Sequence, residues 1–196
     1  MKKVVILITD IGTDPDDTIA LLILSNAALR GEIILGGVVI TCGHVVERAR
    51  QASFVLDNSV RCRSDVQIPV VPGQAFPVDE AAIDHWQKVH FVRSGEGSVN
   101  DSLGGAQFIV DLVRQYGPAV HICAIAALTD LAMAFDLDPV VMRNVGGVTF
   151  QGQAIIDTAT GILSPSVQAY NVRCDHAAAV RVFQTSAYIP FTVVGK

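Results

Sequence analysis

Little charge, no basic cluster and no long apolar run define this 196-residue chain first by exclusion. Only 17% of residues are charged and the formal net charge is −5. Nucleic acid is therefore excluded as a partner, because its backbone requires a positive face. Half the chain is apolar, yet no apolar stretch approaches the ~18 residues that a membrane-spanning helix needs. A membrane partner is thus not expected. Met1-Lys2-Lys3 and a short apolar run superficially suggest a leader peptide. Acids follow at once and no small-residue cleavage site fits, so the expected location is cytoplasmic. The four cysteines, Cys42, Cys62, Cys123 and Cys174, form no CxxC pair and have no histidine at zinc spacing. They read as free thiols of a reducing compartment, Cys62 included although it lies between Arg61 and Arg63. No GxxxxGK[ST] loop exists to cradle nucleotide phosphates.

What is present is a regular alternation of apolar segments. Strands are expected over 4–9, 33–40, 67–71, 119–125, 145–150 and 189–194. Helices are expected over 16–29, 45–57, 103–116, 128–136, 139–143 and 174–186. In the second helix Val46, Ala49, Ser53 and Leu56 share a face. Alternating elements imply one α/β domain over 1–196, a mostly parallel open sheet with helices on both faces. Strands covered on both sides also account for the high apolar content. Two long connections, 72–102 and 151–171, break the rhythm. The first carries His85, Trp86 and His90 and is of the length that usually has a function.

The chemistry concentrates where the first strand ends. Asp10, Asp14, Asp16 and Asp17 fall in Thr9-Asp10-Ile11-Gly12-Thr13-Asp14-Pro15-Asp16-Asp17, directly before a helical pattern. Carboxylates this close repel one another unless a cation or shared protons intervene. One explanation is helix capping, with Asp14 as N-cap, Pro15 in the first turn and Asp17 closing a capping-box-like pair. It leaves Asp10 unexplained. The other is a hard-cation site at the carboxyl end of a strand, where open α/β sheets bind ligands. Spacing alone leaves both open.

The segment resembles the opening signature of the inosine-uridine preferring nucleoside hydrolase family, a strand followed by Asp-x-Asp-Pro-Gly-x-Asp-Asp. Asp10-Ile11-Gly12 and Asp16-Asp17-Thr18-Ile19-Ala20-Leu21 match it, with Thr13-Asp14 inserted and Ile8 in place of the family's first Asp. Val39-Ile40-Thr41-Cys42-Gly43-His44 is similar to the second strand end, with His44 at an Asn position. Ile125-Ala126-Ala127-Leu128-Thr129-Asp130-Leu131-Ala132 resembles Thr-Gly-Pro-Leu-Thr-Asn-Leu-Ala. Gln168-Ala169-Tyr170-Asn171, followed by Cys174-Asp175-His176-Ala177-Ala178, is similar to Glu-Phe-Asn and Asp-Pro-Glu-Ala-Ala. Ala169 replaces the family Glu, and Phe150-Gln151-Gly152 replaces a Met-Gly-Gly turn. The family's last segment, which carries a His-Asp pair, has no counterpart in these 196 residues, so the expected fold is a truncated version of the family's.

The resemblance implies hydrolysis of the N-glycosidic bond of a small-molecule ribonucleoside by a Ca²⁺-bound water, as in purine and pyrimidine salvage. Ca²⁺, or Mg²⁺, would be held by Asp10, Asp17 and the backbone carbonyl of Ile125. Asp10 would be the general base. Asp16, Asn171 and His44 would contact substrate, with Asp14 and His90 as further candidates, and a homo-oligomer is the expected assembly. The alternative is a non-catalytic nucleoside- or ribose-binding protein. A haloacid dehalogenase-type phosphatase is set aside because Gly12 stands where its second Asp belongs.

Overall fold

The structure, a computed structural model, describes residues 2–12, 14–60, 67–75 and 104–195. His85, Trp86, His90 and Cys62, and most of the 72–102 connection, lie outside the described residues.

The apolar run that opens the chain becomes β1 (Val4–Thr9), buried along its whole length. It is buried because it lies inside a six-stranded sheet. The other strands are β2 (Ile34–Ile40), β3 (Val70–Pro72), β4 (Val120–Ala124), β5 (Gly147–Gln151) and β8 (Phe191–Val194). Their order is β3-β2-β1-β4-β5-β8 and every pairing is parallel. Side chains alternate across the sheet. Leu7, Val38 and Ile40 pack beneath α1 (Pro15–Leu29) and α2 (Val45–Asp57) with Leu21, Ala49, Ala52 and Leu56. Ile6, Ile8 and Ile122 face the opposite layer. That layer contains α3 (Gly105–Tyr116), α4 (Thr129–Leu137), α5 (Pro139–Met142) and α7 (His176–Phe183), which contribute Phe108, Ile109, Phe135 and Phe183.

Strand order reverses between β1 and β4, the two strands from which the chain winds outward in opposite directions. A crevice opens at such a point beyond the carboxyl ends of the strands, because consecutive crossovers leave it on opposite sides. No helix among the described residues is long and apolar enough to cross a membrane.

Three expectations need correction. β3 is three residues long and starts at Val70 rather than at residue 67. The 151–171 connection is not irregular: it contains an antiparallel hairpin, β6 (Ala154–Ile156) and β7 (Leu163–Pro165), and the start of α6 (Tyr170–Cys174). The hairpin turn is held by Asp157, whose carboxylate accepts from the amides of Ala159 and Thr160 at 2.8 Å each, and by Gly161 at φ +70°. Ile155 and Ile156 on β6 are both exposed, so no inside-outside alternation marks the strand. Finally, Ala49, Ser53 and Leu56 of the expected α2 face are buried, but Val46 is not part of it. Val45, Arg48, Ala49, Ala52, Ser53 and Leu56 face inward, and Val46 faces out.

Candidate functional site

Asp10 follows the last residue of β1 and Ile125 follows the last residue of β4, so they flank the crevice from either side. The amide of Ile125 donates to the carbonyl of Ile8 at 2.9 Å and holds that adjacency. From the first turn of α1, Asp17 turns inward and is only 7% exposed. Asp14 and Asp16 are exposed. The four acids therefore divide into an inner pair, Asp10 and Asp17, and an outer pair on the rim.

Capping does not account for the inner pair. Asp14 occupies the N-cap position with extended backbone, but its side chain makes no capping bond. The carboxylate of Asp17 accepts instead from the hydroxyl of Thr9 at 2.5 Å. The same Thr9 oxygen accepts from the amide of Ile11 at 3.2 Å. Thr9 thus ties the end of the strand to the start of the helix across the acidic turn. Sequence reading passed it over as a strand residue.

A second overlooked residue is Arg48. It has no exposed surface, and its Nη1 donates to the carbonyl of Ile11 at 3.0 Å. It stands three residues after Val45 and four before Ala52, so its place on the buried face of α2 was the signal available in the sequence. A fully buried Arg is rare unless it is paired.

Burial raises Asp10 above the ordinary carboxylate range, and the Arg48 guanidinium partly offsets the shift. Burial, and then the charge of Asp10, push Asp17 up to about 7, against the pull of the Thr9 hydrogen bond. Two acids that repel in a shielded hollow are a signature of functional sites.

On the β5 side, Asn171 in α6 donates its amide to two backbone carbonyls, Ile125 at 2.9 Å and Gln151 at 3.1 Å. Its Oδ1 remains as an acceptor. His44 precedes α2 at the end of the β2 connection and is exposed. Cys42, in left-handed backbone at φ +73°, meets Cys174 and Ala127 in a small buried cluster. Cys42, Cys123 and Cys174 are free thiols. His90 lies outside the described residues.

The donors that the inner pair and the neighbouring Ile125 carbonyl would offer a cation are all oxygens. That chemistry fits a hard cation such as Ca²⁺ or Mg²⁺ rather than zinc. Among the described residues, no three His, Cys, Asp or Glu side chains gather closely enough to enclose a metal. A cation here would therefore keep coordination positions for the backbone, water or a ligand.

The sequence profile described as inosine-uridine preferring nucleoside hydrolase matches residues 5–196. The chain belongs to that family. A probable uridine nucleosidase 2 from Oryza sativa subsp. japonica is 28% identical over 196 residues, covering 91% of this chain and 54% of the relative. Among solved structures, the type III effector protein XopQ complexed with adenosine diphosphate ribose superposes with a TM-score of 0.83 at 22% identity, over 100% of this chain and 58% of that one. An inosine-uridine preferring nucleoside hydrolase from Bacillus anthracis superposes with a TM-score of 0.71 at 17% identity, over 100% of this chain and 65% of that one. The nucleoside hydrolase fold thus extends across the whole chain. The chain itself spans a little over half the length of the rice relative, 54%.

Proposed function

We propose that this chain hydrolyses the N-glycosidic bond of a ribonucleoside, giving free base and ribose, in the crevice between β1 and β4. The observation that carries the reading is the inner pair. Two carboxylates from the β1–α1 turn, raised by burial and repulsion, stand at the switch point opposite a strand-end carbonyl. Family membership gives the reaction class, and a structural neighbour bound to adenosine diphosphate ribose supports a ribosyl ligand.

Asp10, Asp17 and the Ile125 carbonyl would hold Ca²⁺, with Mg²⁺ as a substitute. A divalent cation there supplies charge that acidifies a water and orients sugar hydroxyls. Asp10 is the general base. Burial makes its carboxylate more basic than an exposed one, which suits proton abstraction near neutral pH. The bond breaks through an oxocarbenium-like ribosyl cation, and ionised carboxylates stabilise that charge. Asn171 receives a ribose hydroxyl at Oδ1, because its amide hydrogens are already engaged. Asp16, His44 and Asp14 border the crevice and contact the sugar or base from the rim.

The test is release of free ribose from inosine and uridine, with and without EDTA, for wild type and Asp10→Asn. EDTA-sensitive release that the substitution abolishes is expected. Nucleoside binding without any ribose release would instead establish a non-catalytic nucleoside- or ribose-binding protein.

A further inference from the structure

Among the described residues Arg48 is the largest fully buried side chain, and it lies on the helix that borders the acidic turn. A guanidinium does not lose its proton under ordinary conditions, so its charge is buried with it. Placing such a charge away from water is very costly unless counter-charges and hydrogen bonds surround it. Its Nη1 bond to Ile11 anchors it one residue from Asp10. Asp10 and Asp17 are the acids of this turn that face inward, and both feel its field. The guanidinium lowers the pKa of both carboxylates, against the burial and repulsion that raise them. Without Arg48 that offset to the two carboxylates would be lost.

We infer that Arg48 is a built-in counter-cation of the Asp10–Asp17 pair: it stabilises the turn when no divalent ion is bound and competes electrostatically with the ion when one arrives. This rests on the proposed cation site and deepens it. Arg48 is a positioning residue, since it acts through the two aspartates and through the Ile11 carbonyl. The consequence is a site that folds without metal and binds the ion loosely enough to exchange it. A merely structural arginine would predict the opposite on removal, a poorer site. A counter-cation predicts a tighter one.

The experiment titrates CaCl₂ into chelator-stripped wild type, R48K and R48M by calorimetry. Melting curves are recorded in EDTA and in saturating CaCl₂. R48M is expected to bind Ca²⁺ about tenfold or more tightly than wild type, as loss of one nearby positive charge requires. It is also expected to melt lower in EDTA and to recover in Ca²⁺. R48K keeps the charge and is expected to stay within about threefold of the wild-type affinity. The inference is overturned if folded R48M binds Ca²⁺ no more tightly than wild type, or if it stays unfolded in both conditions. Wild type that binds while R48M is unchanged defeats this inference alone. Folded wild type and folded R48M that both fail to bind defeat the cation reading as well. Binding by R48M where wild type shows none supports the counter-cation and shows it to dominate the site.

Discussion

Two groups of buried carboxylates stand at the carboxyl end of this sheet, and they are built on opposite plans. Asp130, at the start of α4, has no exposed surface and is sealed by backbone. Both of its oxygens accept from the amide of Gln74, at 3.2 and 3.1 Å. Gly73 and Gly105 press so close that a Cβ on either would lie 2.4 or 2.5 Å from an Asp130 oxygen. No room for a ligand remains between these glycines and the carboxylate. Asp10 and Asp17, by contrast, repel each other and share a buried guanidinium, and Asp10 keeps part of its surface exposed. Burial raises all three acids, so a raised pKa does not by itself separate structure from function. What separates them is whether a neighbouring carboxylate and an open approach accompany the burial.

Four substitutions put this contrast to experiment. The largest effect is expected at Asp10. Asp10→Asn is predicted to lower ribose release by about 10³-fold, the scale of losing a general base. Its denaturation midpoint should not fall, because a raised, repelled carboxylate becomes neutral. A midpoint that dropped along with activity would place Asp10 with Asp130 as a structural acid.

Next comes pH. Asp130 is held up to about 6 by burial, from an ordinary 3.8, against the Gln74 amide. The folded state therefore keeps its proton more tightly than the unfolded chain. The associated stability is complete below the unfolded value and is lost as pH rises through the folded one. That loss amounts to about 3 kcal/mol. Denaturant titrations between pH 4 and 7 should show the decline, and Asp130→Asn should make it shallower, leaving the share of Asp10 and Asp17. An unchanged slope would mean that other acids set the pH response.

Gly105→Ala tests the seal. Its Cβ would meet both Asp130 and Val39, at 2.5 and 2.6 Å, and overpacking of this kind costs about 2 kcal/mol. Ribose release per folded molecule should be unaffected, and a selective loss of activity would contradict the division. The smallest effect is expected for Thr9→Val. It removes the hydroxyl that bonds Asp17, at about 1 kcal/mol in the thermal or denaturant midpoint. It should also push Asp17 further above about 7, observable in the pH profile of activity.

Much of the fold was legible because buried strands and amphipathic helices leave periodic traces. The α2 helix begins and ends at the expected residues, 45 and 57. β1 likewise spans the expected 4–9, and β2 and α1 depart from expectation by one residue at one end. The β6–β7 hairpin was invisible because it is short and exposes Ile155 and Ile156, so burial imposed no pattern on it. The site was legible in part. Asp10 and Asp17 announced themselves by their spacing at a strand-to-helix junction. Arg48 did not, because a charged helical residue reads as solvated until the packing around it is known. Thr9 reads as an ordinary β-branched strand residue until Asp17 is placed beside it.

The α/β class, the parallel sheet and the location of the acids at the first turn follow from the order of apolar segments along the chain. Three-dimensional packing selects which aspartates face inward, places a guanidinium from α2 beside them, and seals Asp130 but not Asp10. These outcomes depend on helix rotation and on residues distant in sequence meeting in space, and a one-dimensional pattern carries neither.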